Sequence, residues 1–520
     1  MVIGIDLGMT TSCAFVPYNG GLENLVHQGN RNTIDSVIKI TPKGTCVLTV
    51  DTAAHARQLE GKGCVYEAKR LIGRKYAEVE NEVKKNQWPF EVFEGDDGYA
   101  AIRVTLRDKG KDGKIMEEKR ELYPEDVGSY ILRDMKERAE RLLDVPVDSC
   151  VIGCPVKFSF DQRKRTVEAA VLAGFDEDNI SLYPESTLAA IAYAKEYDRE
   201  ATESRVYLVY DCAGVAFNAS IVTRNGNEYK TIAAKGDGNC GGKDIDARLM
   251  SVIREDLEDY GYEINENRLS KMKFACKQMK ELLLTNSSYE MCCDFVKLRN
   301  EDDDDYPYKR MTIAAVDAIA KPVIAHTLDI VKRLLSKTPY TVDNIDYVFL
   351  VGGSSKLNGM RVSLEKLFGA EKVKCDTFCL CEAAIAKGAA LVGLNKALPV
   401  DPVPTPPIDP IIPPPPIDNT MPYSVMIKTA DGRIQEVPEE IREPILSIID
   451  LYKEKKKLKE MQELKTAILK IYSMERYGGK LDDQAKRREW LAVARQSQQC
   501  NSVEELKMLK ERMEIMKSEL

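Results

Sequence analysis

Two segments of the chain repeat one chemical pattern. Ile3-Gly4-Ile5-Asp6-Leu7-Gly8-Met9-Thr10-Thr11-Ser12 and Leu208-Val209-Tyr210-Asp211-Cys212-Ala213-Gly214-Val215-Ala216-Phe217-Asn218 each run from an apolar strand to an aspartate. Each then passes through a turn of small residues into a second apolar stretch. Glycine lets a backbone approach closely, and consecutive amides in such a turn cradle an anion. An aspartate at a strand end can hold the water shell of Mg2+, which favours octahedral oxygen ligands. Either hairpin alone reads equally well as an ordinary tight turn. As a facing pair they would clamp a polyphosphate between two lobes. A third segment, Leu350-Val351-Gly352-Gly353-Ser354-Ser355-Lys356, puts glycines after a strand, which suits close packing against a nucleoside.

Other reactive side chains form weaker sets. Cys375, Cys379 and Cys381 have metal-ligand spacing, yet no nearby histidine completes a set of four, and they read as thiols. His27, His55 and His326 are scattered and give no triad signature. The acidic run Glu301 to Asp305 lacks the spacing and glycine of a calcium loop and reads as a surface loop.

These residues need strands and helices to hold them. Val2–Leu7, Arg205–Asp211 and Tyr347–Val351 are β-rich runs, whereas Asp161–Ala173, Ser186–Ala194 and Val316–Leu335 have helical spacing. The alternation predicts α/β lobes. Proline then recurs ten times between Pro399 and Pro416, where neither helix nor sheet can continue, and a stiff polyproline II spacer is expected. Beyond it, Ile441–Tyr472 and Leu481–Leu520 are rich in lysine and glutamate with apolar residues at three- and four-residue spacing, as in amphipathic helices. Gly478-Gly479 should end the first, and Ser502-Val503-Glu504-Glu505 fits a capping box for the last.

The whole-chain chemistry limits the function classes. The 520 residues, 44% of them hydrophobic and 30% charged, suffice for several buried cores. A net charge of −8 argues against general nucleic-acid binding, which needs a positive surface. No apolar run reaches the roughly 18 residues of a membrane helix. The start Met1-Val2-Ile3-Gly4-Ile5-Asp6 has no signal-peptide pattern, and fourteen cysteines without one read as reduced thiols. A cytoplasmic location is therefore expected.

The order of these segments resembles the heat shock protein 70 chaperones, within the wider actin and sugar-kinase ATPase fold. Ile3–Cys13 looks like that family's first phosphate loop. Ala68-Lys69-Arg70-Leu71-Ile72-Gly73-Arg74 is similar to its lysine segment. Pro155, Phe158 and Arg163, then Glu185-Ser186-Thr187 and Ala189–Tyr193, look like its hinge and acidic motif. Gly241-Gly242-Lys243-Asp244-Ile245-Asp246 resembles its GGxDxD segment, and Val351–Ser354 its adenosine loop. The likeness covers roughly residues 1 to 395. It implies an actin-like two-lobed nucleotide-binding domain over 1–395, a proline-rich linker over 396–417, a remnant β-hairpin over 418–440 and a helical region over 441–520.

The resemblance also implies roles. Asp6 and Asp211 would hold Mg2+ through water. Gly8, Thr10 and Thr11 would lie along the phosphates of ATP or ADP, with Gly214 on the opposite loop. Lys69 would position the γ-phosphate and the attacking water, and Glu185 would orient that water, with Asp211 the third catalytic residue. Gly241, Gly242, Lys280, Gly352, Gly353, Ser354 and Lys356 would complete the nucleotide contacts. Pro155 and Arg163 match the interlobe switch. Such chemistry is mostly placement and charge stabilisation.

The departures from the family cluster in the working loops. Its second phosphate loop reads Asp-Leu-Gly-Gly-Gly-Thr-Phe-Asp, and Cys212, Ala213, Val215, Ala216 and Asn218 replace residues there. Ala213 and Val215 resist positive φ and crowd the phosphates. Ala216 removes a hydroxyl and Asn218 neutralises an acid. Met9 stands for a threonine, Lys277 and Glu281 exchange an acid and a base, and Leu284 replaces a serine. Lys356 replaces an arginine that would stack on adenine, and Cys381 replaces an aspartate. Slow hydrolysis or weak nucleotide binding is expected.

Asp418–Glu440 is all that lies between the proline spacer and the helices, where the family has a peptide-gripping β-sandwich. Tyr423–Thr429 with Asp431-Gly432 looks like its opening hairpin. A lone hairpin cannot build a two-sheet clamp, which weighs against peptide clients and leaves nucleotide, other chaperones or co-chaperones as expected partners. Two functions follow: a chaperone-type ATPase, or a nucleotide-sensing or nucleotide-exchange co-chaperone acting as a binding module. The motif details disfavour a sugar or acetate kinase.

Overall fold

The computed structural model describes residues 1–26, 32–41, 44–47, 63–86, 88–109, 115–199, 203–297, 306–375 and 380–394, and beyond these only 426–428, 434–436, 493 and 506–512. The proline spacer, Glu301 to Asp305, His27, His55, Cys379, Gly478-Gly479 and the apolar positions Leu446, Ile449, Leu458 and Leu464 of the helix expected over Ile441–Tyr472 lie outside the described residues. The chain divides into two units, Met1–Pro404 and Thr405–Leu520.

Among the sheets of the first unit, the two largest share one plan. In one, β1 (Val2–Asp6), β2 (Thr11–Tyr18), β3 (Gly21–Asn24), β4 (Ser149–Cys154) and β5 (Ile180–Pro184) lie in the order β5-β4-β1-β2-β3, with Ile34–Asp35 paired to β2. In the other, β6 (Arg205–Cys212), β7 (Phe217–Asn225), β8 (Glu228–Asp237), β9 (Tyr347–Val351) and β10 (Val373–Lys374) lie in the order β8-β7-β6-β9-β10. Both begin as an antiparallel meander, and both continue with parallel strands beside the first. The two aspartate hairpins are thus β1–β2 and β6–β7, in equivalent places of duplicated sheets.

The three expected strands are present as β1, β6 and β9. The expected helices are α2 (Phe160–Leu172), α3 (Glu185–Tyr197) and α6 (Ile313–Leu335); α1 (Pro124–Leu143), α4 (Gly242–Asp259), α5 (Leu269–Leu282), α7 (Asn358–Phe368) and α8 (Leu380–Leu394) are further helices of this unit, as is Tyr76–Asn86. Local chemistry sets the ends. The Ser159 hydroxyl accepts from the Gln162 amide and the Gln162 side chain accepts from the Ser159 amide, a capping box that starts α2. The run Ser186–Ala194 of α3 is buried on every side, as expected of an apolar helix inside a large core.

Helix α8 binds the two sheets together. Its Ala383, Ala386 and Ala390 pack into the core of the first lobe, while Ala384 and Ala389 pack with Leu188, Tyr207, Val209 and Phe349 against the second sheet. Small residues permit this. A side chain on Gly4 of β1 would collide with the backbone of Ala386 and Ala390.

In the second unit, Met426–Lys428 pairs antiparallel with Ile434–Glu436; the rest of the segment expected to form the hairpin lies outside the described residues. Residues 506–512 are helical. Leu506 and Leu509 are buried there and Met508 is exposed, which is the amphipathic spacing expected for the last helix.

Candidate functional site

Lys69 lies on a short 3-10 turn, Ala68–Arg70, entered through Glu67 in a left-handed conformation (φ 58°). The turn aims the lysine at the N-terminus of α3, where its Nζ donates to Glu185 Oε1 at 2.7 Å. The side chains are 7% and 14% exposed, so the pair is nearly dry. The Phe158 ring lies 5.8 Å from the ammonium. Burial works against the Lys69 charge, but Glu185 and Asp6 more than offset it and hold its pKa above the usual value.

Asp6 and Asp211 join this cluster from the ends of β1 and β6. Burial, reinforced by the Glu185 charge and opposed by Lys69, pushes Asp6 up to about 7. Burial, with Glu185 and Asp6 adding and Lys69 opposing, pushes Asp211 up to about 8. Three carboxyl groups thus share one ammonium in a low-dielectric cleft. Such a set gains from a further cation.

The first hairpin turn is fixed by the Gly8 amide donating to Ser12 Oγ at 3.2 Å and by the Ser12 and Ser36 hydroxyls, 2.8 Å apart. Thr10 Oγ1 is buried with no hydrogen-bond partner. It faces the second loop, since a side-chain carbon on Gly214 would lie 2.6 Å from it. A buried hydroxyl left open at the meeting of two loops suits an anionic ligand.

The second loop is tied from behind. The Ala213 carbonyl accepts from the Gly242 amide at 3.0 Å and the Gly214 carbonyl from the Lys243 amide at 2.8 Å. The Ser354 hydroxyl donates to the same Ala213 carbonyl at 2.9 Å. Gly241 and Gly242 therefore start α4 directly behind this loop, and Asp244 accepts from the Gly241 amide at 2.8 Å.

The glycine turn after β9 closes on the same place. Gly352 has φ +84°, and a side chain there would meet Asp211 Oδ1 at 2.7 Å, so only glycine fits. Lys356 pairs with Glu382 at 3.0 Å. Lys280 is buried, pairs with Asp246 at 2.7 Å and donates to the Gly242 carbonyl at 3.1 Å. A narrow pocket opens beside Asp211 and Glu185, lined also by Pro155, Asn218 and Val351; Gly352, Lys280 and Lys356 are not among its lining residues.

The fold thus brings Asp6, Lys69, Glu185 and Asp211 together as one charge cluster, with Thr10 and Gly214 facing each other. Gly352, Gly353, Ser354 and Lys356 sit on the turn beside Asp211, and Lys280 on its far side behind Gly242. Among the described residues no three His, Cys, Asp or Glu side chains converge to ligate an ion directly. The set fits a Mg2+ that keeps its water shell and touches Asp6 and Asp211 through it. Sequence reasoning missed one element, a clasp across the cleft mouth. Glu67 pairs with Lys243, and Arg70 donates to Asn239 Oδ1 at 2.8 Å. The lysine in Gly241-Gly242-Lys243 facing an acid just before Lys69 was its available signal.

A family model described as Hsp70 protein matches residues 2–398. The chain is 33% identical over 393 residues to the heat shock cognate HSP70 protein of Trypanosoma brucei brucei, covering 75% of this chain and 55% of that one. It is 32% identical over 357 residues to the putative heat shock 70 kDa protein 7 of Homo sapiens, covering 68% and 91%. It is 31% identical over 394 residues to the heat shock 70 kDa protein BIP3 of Oryza sativa subsp. japonica, covering 75% and 56%. The chain therefore spans little more than half the length of the trypanosome and rice relatives. Among the described residues no helix is long and apolar enough to cross a membrane.

Proposed function

The chain belongs to the heat shock protein 70 family, and from that premise we propose that it is a chaperone-type protein that binds Mg·ATP between its two lobes and hydrolyses it slowly. The observation that carries this reading is the convergence of Asp6, Lys69, Glu185 and Asp211 beside the unpartnered Thr10 hydroxyl. Bound Mg2+ would supply charge neutralisation for the phosphates. The chain's own groups do the rest. Asp6 and Asp211 hold the hydrated cation, Thr10, Thr11 and the Gly8 and Gly214 turns line the phosphates, and Lys69 and Glu185 fix a water at the terminal phosphate. Gly352, Gly353, Ser354 and Lys356 border the nucleoside. Gly241, Gly242 and Lys280 brace the second loop.

Slow turnover follows from the second loop. Removing one well-placed stabilising group typically costs about 10²–10³ in rate, and Val215, Ala216 and Asn218 all depart on the terminal-phosphate side. Val215 is buried in the loop, where it stiffens a turn whose carbonyls are already tied to α4. The same departures favour a second reading, a nucleotide-sensing or exchange partner that binds without turnover. The reduced 418–440 segment supports weak or absent binding of extended peptides in either case, with other chaperones or co-chaperones as partners. Radiolabelled ATP turnover by the full chain separates the readings. Measurable turnover lost in Lys69→Ala supports the ATPase, and it should rise in the Val215→Gly, Ala216→Thr, Asn218→Asp variant. Mg·ATP binding with no turnover in either form supports the sensor. No nucleotide binding at all refutes both.

A further inference from the structure

Cys375 and Cys381 take no part in the site described above, yet they meet at its edge. Their sulfurs are 3.6 Å apart. Cys375 follows β10 and is half-exposed, while Cys381 is buried in the first turn of α8. A disulfide needs about 2.05 Å between sulfurs, so forming one draws the two sulfurs together by about 1.5 Å and pulls on the backbone that carries Cys381.

The backbone of Cys381 also supports the glycine turn. Its carbonyl accepts from the Gly352 amide at 2.6 Å. The next residue, Glu382, holds Lys356 at 3.0 Å. The Tyr193 hydroxyl donates to the Leu350 carbonyl and lies 3.6 Å from the Cys381 sulfur. Any displacement of Cys381 passes directly to Gly352 and Lys356.

We infer that Cys375 and Cys381 are a redox-reactive pair, cross-linked by exchange with a low-molecular-weight disulfide, and that the cross-link loosens the glycine turn beside Asp211. The exposures assign the order of steps. The half-exposed Cys375 thiol gives up its proton, and its sulfur attacks one sulfur of oxidised glutathione, expelling one glutathione thiolate. The Cys381 sulfur, giving up its own proton, then attacks the Cys375 sulfur of the mixed disulfide and expels the second glutathione. Two protein thiols become one disulfide, one small disulfide is reduced to two thiols, and both protons end on glutathione. The hydrogen bond shared with Cys375, together with burial, holds the Cys381 thiol well above the usual range, so the buried thiol does not make the first attack.

The cross-link stands independently of the nucleotide reading; its effect on affinity rests on that reading. The experiment treats the full chain with oxidised glutathione, maps disulfides by peptide mass spectrometry, and measures Mg·ATP affinity by calorimetry before and after. The expected result is a Cys375–Cys381 cross-link, a rise in Kd of about tenfold, reversal by a thiol reductant, and neither change in Cys375→Ser. That variant alters a half-exposed position and keeps the buried Cys381. A Cys375–Cys379 cross-link, or no intramolecular cross-link, would overturn the pair. A correct cross-link with unchanged Kd would overturn the coupling to the glycine turn. If the reduced chain binds no nucleotide, the reading of the cleft falls while the disulfide map still decides the thiol pair.

Discussion

Replacing Lys69 by methionine tests whether the cleft holds a dry charge cluster. Lys69 and Glu185 sit 2.7 Å apart and are 7% and 14% exposed. Their attraction compensates the cost of taking both from water. Removing only the lysine leaves Glu185 facing Asp6 and Asp211 with no cation in the cluster. Breaking a buried pair from one side typically costs about 3–5 kcal/mol. Unfolding entropy is about 2.1 cal/mol/K per residue, so a unit the size of Met1–Pro404 loses roughly 1 °C of Tm per kcal/mol. The single variant should melt about 4–6 °C lower at neutral pH. Lys69→Met with Glu185→Gln removes both charges and should recover most of the loss, for a coupling energy of about 2–4 kcal/mol. The assay is a double-mutant cycle by calorimetric melting without nucleotide. A coupling below about 0.5 kcal/mol, within the scatter of independent sites, would mean that the pair is solvated and that the cluster lacks the low dielectric assigned to it.

Two further outcomes follow from the same geometry. Asp6 and Asp211, raised to about 7 and about 8, keep protons that the unfolded chain releases near pH 4. The nucleotide-free protein should therefore lose stability as pH rises from about 4 to about 8, on the order of several kcal/mol after screening by solvent in the cleft. Mg2+ should flatten that loss, and urea midpoints that climb steadily with pH would contradict it. A labelled hydrophobic peptide should show no micromolar anisotropy signal with the full chain. Binding that ATP weakens would reveal a working clamp and remove the reduced-clamp reading.

The two aspartate hairpins were legible because a strand, an acid and a small-residue turn are local signals. Their placement in duplicated sheets follows from that repetition. Lys69 meeting Glu185, 116 residues away, was not legible from residue pattern and entered only through family likeness. The 3-10 turn Ala68–Arg70 meets the first residue of α3 there, and no period in the sequence encodes that meeting. The Glu67–Lys243 and Arg70–Asn239 clasp spans 176 and 169 residues and was missed for the same reason. Cys375 and Cys381 were noticed as metal-ligand spacing. The approach of their sulfurs to 3.6 Å is a matter of three-dimensional packing, which composition does not encode.

Helix α8 gives the chain an order of assembly. Strand β1 is covered by Ala386 and Ala390, which are synthesised almost four hundred residues after it. At about 5–20 residues per second, that strand waits roughly 20–80 seconds on the ribosome with one apolar face open. The second sheet waits as well, because Ala384 and Ala389 of the same helix pack against it. A nascent chain stalled before Leu380 should therefore leave both sheets open on the face that α8 covers. The two lobes close together, when that helix emerges.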